Sequence, residues 1–178
     1  MIQIIQLLKE RNKTIATMES CTGGGVANAI TNIEGASEIL KFSAVTYSNE
    51  YKIKMGVSSE VIDKYSVYSM ETAVEMSKNI SGFANSDYGI GITGKLNRVD
   101  KDNPFGKDNV VFISIYDKEN DKYFNFSREV KLESRELNKA YIIREIANNL
   151  SSVILENKLF CKIFSDQDNS ITNFQKHL

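Results

Sequence analysis

Apolar residues recur at helical spacing in four stretches of the chain and gather into five short β-branched runs between them. Residues 3–12 read as a short amphipathic helix with Ile4, Leu7 and Leu8 on one face. Thr14–Met18 is a buried strand that runs into Glu19-Ser-Cys-Thr-Gly-Gly-Gly25. The helix after those glycines uses Val26, Ala29, Ile30 and Ile33 as its apolar face. Residues 36–41 add one helical turn after Gly35, and Phe42–Tyr47 is a second strand. Ser48 or Asn49 caps a short helix carrying Lys52. Ser69 caps a longer helix with Ala73, Met76, Ile80 and Phe83 on its apolar side. Tyr88–Thr93 is a third strand, and Val110–Tyr116 with Lys122–Val130 forms a hairpin. Glu133–Leu155 closes the pattern as a long helix, with Leu137, Ala140, Tyr141, Ala147, Leu150 and Ile154 near helical spacing.

Strand–helix alternation followed by a hairpin predicts one α/β sandwich domain with a mixed sheet, a parallel core plus an antiparallel hairpin. The periodicity stops after residue 155, so 1–155 is expected to be the domain and 156–178 a weakly ordered tail. The longest loop, 95–109, reads KLNRVDKDNPFGKDN. A loop of that size within one domain is usually functional or mobile.

Composition then narrows the chemistry. Of 178 residues, 42% are hydrophobic and 25% charged, with a net charge of −1, so no basic surface points to nucleic acid. Cys21 and Cys161 form no CxxC pair, which argues against a zinc site or disulfide framework. The N-terminus lacks a signal-peptide pattern and is too polar for a membrane span, so a cytoplasmic location is expected. The sole histidine, His177, lies next to the end of the sequence. A Ser-His-Asp or Cys-His mechanism would need that residue as its base, so Lys, Tyr, Asp or Glu is the expected base instead.

Ser20 sits where a buried strand turns into a glycine-rich helix start. Such a turn lifts a hydroxyl above the sheet edge and points backbone N–H groups outward, able to hold an oxyanion or a phosphate. The residues alone leave two readings open: a nucleophile, or Ser20 and Thr22 as ordinary helix caps. Cys21 is a further nucleophile candidate, although a small buried cysteine is the commoner role.

The successive segments ESCTGGG (19–25), TYSNEYK (46–52), SVYS (66–69) and GIGITG (89–94) resemble the motifs of the CinA C-terminal domain family, in order and spacing over residues 3–155. That resemblance implies a stand-alone serine amidohydrolase of pyridine-nucleotide salvage. It would convert nicotinamide mononucleotide to nicotinic acid mononucleotide and ammonia, with no metal or organic cofactor. It makes Ser20 the nucleophile, Lys52 the general base and Tyr47 the third member. Thr22, Gly23 and Gly24 would cradle the oxyanion or phosphate, Asn49 and Glu50 would orient the Lys52 segment, and Thr93 and Gly94 would face the ligand. Arg135 and Lys139 would meet a phosphate. The implied partner is a small-molecule nucleotide, with no membrane and no nucleic acid, and family members associate as homo-oligomers. One segment departs from the pattern: the family follows TG with a glycine- and proline-rich stretch of the type TGIAGPGG, whereas this chain has the charged 95–109 segment. Lys95, Asn97 and Arg98 then become either new ligand contacts or a solvated loop. A second reading follows, a nucleotide-binding or regulatory module that keeps the fold with altered catalysis.

Overall fold

In a computed structural model, the backbone is described for residues 1–97 and 106–174, and side chains of the last helix as far as Glu156. Arg98, Cys161 and His177 lie outside the residues whose side chains are described.

Five strands form one mixed sheet: β1 (Ile15–Glu19), β2 (Leu40–Val45), β3 (Tyr88–Gly94), β4 (Val110–Asp117) and β5 (Lys122–Glu129), in the order β2-β1-β3-β4-β5. β1 pairs parallel with both β2 and β3, while β4 runs antiparallel to β3 and β5. The expected parallel core with an appended hairpin is what forms. Every residue of β1 and β3 is buried, because both strands carry helices on each face. On one face, α1 (Ile2–Glu10), α2 (Gly25–Thr31), α3 (Ala36–Ile39) and α7 (Arg135–Phe174) close over Ile15, Ile90, Ile92, Ile113 and Ile115. On the other, α4 (Asn49–Lys54), α5 (Ser59–Tyr65) and α6 (Met70–Ala84) cover Ala16 and Met18 with Val57, Ile62, Met76 and Ile80. Helix α6 lies directly on β3, since a Cβ at Gly89 or Gly91 would overlap the carbonyls of Ser77 and Ala73.

This winding positions the site. The connection leaving β1 crosses one face and the connection leaving β2 crosses the other. Diverging connections open a crevice beyond the carboxyl ends of β1 and β2, where open α/β sheets hold ligands. The segments carrying Ser20 and Lys52 both start there.

Several expectations are corrected. Helix α5 was not predicted: it is a seven-residue helix capped by Ser58, too short for a periodic signal. Phe83 does not face the core. It is 65% exposed and stacks on Phe42 with ring centroids 5.1 Å apart. In α7 the buried face is Asn138, Ile142, Ile146, Leu150, Val153 and Ile154, with Tyr141 and Ala147 packed at its edge and Leu137 and Ala140 outside. Asn138 takes an interior position because its amide is fully bonded, to Leu132 and Asn97. The backbone of α7 continues past residue 155, where the apolar periodicity ends, to Phe174. No helix among the described residues is long and apolar enough to cross a membrane.

Candidate active site

Ser20 follows β1 directly, its N–H donating to the Ile92 carbonyl of β3 at 3.0 Å. The chain then turns through Gly23 and Gly24, at φ of 63° and 87°, a region that glycine enters without a Cβ penalty. Two short bonds close the turn, Gly23 N–H to Ser20 O and Gly25 N–H to Thr22 O. The amides of Cys21, Thr22 and Gly24 take no part in them. Helix α2 has no side-chain cap on Gly24; instead the buried carboxylate of Glu19 accepts from the Val26 and Ala27 amides at 3.1 and 2.8 Å. This corrects two expectations. Neither Ser20 nor Thr22 caps the helix, and the helical N–H groups expected to face a ligand are partly satisfied by Glu19. The sequence reading missed Glu19, although its place before Ser20 in a strand–turn–helix unit is a visible signal.

From the other side of the crevice comes Lys52. Ser48 caps α4, accepting from Tyr51 N–H, and the helix turns Lys52 inward. The side chain is 1% exposed. Its Nζ lies 3.1 Å from Ser20 Oγ and donates to the Thr46 carbonyl at 2.7 Å. No carboxylate accompanies it in these bonds, and burial pulls its pKa from the ordinary 10.5 down to about 8. Among the described residues, two buried hydroxyls lack a hydrogen-bond partner: Thr22 Oγ1, two residues after Ser20, and Thr46 Oγ1, on the residue whose carbonyl receives Lys52. Buried polar groups in folded proteins are rarely left unpaired, so these two keep unspent hydrogen-bonding capacity.

Tyr47 stands apart from the pair. It is 63% exposed, and its hydroxyl accepts from an Arg135 Nη at 3.1 Å rather than meeting Ser20 or Lys52. The other Arg135 Nη donates to the Leu96 carbonyl at 2.6 Å. Lys139, one turn further along α7, reaches the glycine turn: a Cβ on Gly23 would lie 3.2 Å from its Nζ. Lys139 therefore stands at the glycine turn, and Arg135 lies near enough to act electrostatically on Cys21 in the same turn.

Other expected residues serve the frame. Thr93 is fully buried with its hydroxyl on the Val67 carbonyl at 2.8 Å, so it ties β3 to the turn before α6 rather than facing a ligand. Gly94 lets β3 lie against β4, where a Cβ would meet the Val110 carbonyl. Glu50 is an exposed carboxylate paired with Lys54 at 2.6 Å, and Asn49 is half-buried at the start of α4. Cys21 is buried, and desolvation pushes its thiol up to about 12, which leaves no thiolate for attack near neutral pH.

Comparisons with known proteins agree with this architecture. The family model described as the CinA C-terminal domain matches residues 1–153. A CinA-like protein of Thermosipho melanesiensis is 33% identical over 154 residues, covering 82% of this chain and 38% of its own. A CinA-like protein of Endomicrobium trichonymphae is 40% identical over 125 residues, 68% of this chain and 28% of its own. The chain thus spans well under half the length of these curated relatives. A solved CinA superfamily protein from Klebsiella pneumoniae superposes with a TM-score of 0.80 at 22% identity, over 86% of this chain and 94% of that one, a likeness of fold. With an α/β sandwich matched to that superfamily and a family model covering residues 1–153, the chain belongs to the CinA C-terminal domain family.

Proposed function

We propose that the chain is a serine amidohydrolase acting on the carboxamide of nicotinamide mononucleotide or a closely related pyridine nucleotide. One observation carries the reading: a buried lysine with its pKa near 8 stands 3.1 Å from the hydroxyl of a strand–turn–helix serine. Neutral Lys52 keeps two hydrogens and one lone pair. One hydrogen serves the Thr46 carbonyl, and the lone pair accepts the Ser20 proton as Oγ attacks the carboxamide carbon. The developing oxyanion meets the turn amides of Cys21, Thr22 and Gly24, with the unpartnered Thr22 hydroxyl beside them. Lys52 then returns the proton to the amide nitrogen, ammonia leaves, and water hydrolyses the acyl-serine with Lys52 again as base. Arg135 and Lys139 supply positive charge over the turn for the nucleotide phosphate.

The test is ammonia release from nicotinamide mononucleotide, with nicotinic acid mononucleotide identified as co-product. Ser20→Ala is expected to reduce turnover at least about 1,000-fold. Full activity in that variant would overturn the mechanism, and no release by the unaltered protein would overturn the substrate.

A further inference from the structure

The charged segment that follows Thr93-Gly94 holds a second buried lysine. Lys95 sits one residue beyond β3, at the ligand end of the sheet, and its side chain is 1% exposed. Its Nζ bonds Asp108 Oδ1 at 3.1 Å, approaches the Gly106 carbonyl at 3.4 Å and lies 5.2 Å from the Tyr68 ring centroid. These groups belong to the returning stem of the loop and to the turn before α6. The backbone of Lys95 belongs to the outgoing stem, with its N–H on the Val110 carbonyl. The side chain is therefore a cross-brace between the two stems. An ammonium is costly to bury, and an apolar side chain of that size would fill the space more cheaply.

The braced stem delivers an acceptor. The residue after Lys95 is Leu96, whose carbonyl receives one Arg135 Nη, while the other Nη reaches the exposed Tyr47 hydroxyl. Arg135 is thus held between two oxygens on separate elements, and one of them is fixed by the Lys95 brace. Asn97 reinforces that stem, with its N–H on Asn109 and its side chain on Leu132 and Asn138.

We propose that Lys95, through its ion pair with Asp108, is a positioning residue that sets the Leu96 carbonyl and so aims the Arg135 guanidinium over the Ser20 turn. The inference rests on the amidase reading for its kinetic consequence and on geometry alone for its structural one. Lys95→Met and Asp108→Asn should each raise KM for nicotinamide mononucleotide about tenfold and leave kcat within about twofold, because Ser20 and Lys52 are untouched. The double variant should be no worse than Lys95→Met, as expected for a shared pair, and Lys95→Arg should restore much of the loss.

The second readout needs no turnover. The Arg135 Nη–H signals in 15N NMR, assigned with Arg135→Lys, should be separate in the unaltered protein and collapse to an average in Lys95→Met. Unchanged Arg135 signals in a folded Lys95→Met protein would overturn the proposal, as would a fall in Tm with KM unchanged. A protein that turns over no nicotinamide mononucleotide but shows the NMR collapse keeps this inference and loses the substrate.

Discussion

Burial lets the Lys52 amine shed its proton near pH 8, well below the ordinary lysine value of 10.5. Because its pKa is about 8, roughly one-tenth of it is neutral one unit lower. Only the neutral form can take the Ser20 proton, so kcat/KM should rise about tenfold per pH unit below about 8 and level above it. A pH–rate profile over 6 to 9.5 checks this, and a flat profile would exclude Lys52 as the base. Lys52 and Ser20 were legible from TYSNEYK and ESCTGGG, and the geometry joins them. Tyr47 was misplaced for a reason the sequence does not contain: its partner, Arg135, is 88 positions away and arrives through the packing of α7.

Among the elements, the β1–turn–α2 unit depends on Glu19. Its carboxylate is fully buried and satisfies two amides at the start of a seven-residue helix that carries no other cap. Glu19→Ala leaves those amides unpaired and should cost about 2–3 kcal/mol in chemical denaturation. It should also lower kcat by loosening the Ser20 turn. The two amides use the two carboxylate oxygens separately, so Glu19→Gln keeps an acceptor for only one of them and should recover part of the stability. Equal losses in both variants would show that a single acceptor is not enough. The elements themselves were largely readable, since strands β1 to β5 fall within about two residues of the apolar runs. Helix α5 escaped because one short capped turn generates no periodicity. The inner face of α7 holds as expected at Tyr141, Ala147, Leu150 and Ile154, but its first turn was misjudged because a polar residue, Asn138, occupies an interior place that only its partners on other segments justify.

For the molecule as a whole, the two-sided winding that opens the crevice was implied by strand–helix alternation, but the strand order was not. Pairing of β1 with both β2 and β3 is a long-range outcome, and with the inward turn of α4 it brings Ser20 and Lys52 together. Holding the lysine there costs global stability. The unfolded chain keeps the proton up to about 10.5 and the folded one only to about 8, so the unfolded state binds more protons between those values. Stability should therefore rise with pH across that window, from a floor at which the full cost, roughly 3 kcal/mol, is carried. Lys52→Met should remove that rise and unfold at higher denaturant at pH 7 by about 1–3 kcal/mol, while abolishing turnover. Denaturant melts at pH 7 and pH 10 on both proteins measure this, and parallel shifts would count against a depressed Lys52.

An amine that loses its proton near pH 8 is also a reagent. Many of the other described lysines are exposed to any electrophile. Lys52 gives up its proton more readily but is enclosed, so size decides what can modify it. A small uncharged electrophile such as isocyanic acid should carbamoylate Lys52 first and silence the protein with a single adduct, whereas bulky active esters should label the surface and spare it. Peptide mapping after partial inactivation would locate that adduct, and an occupied crevice should slow its formation.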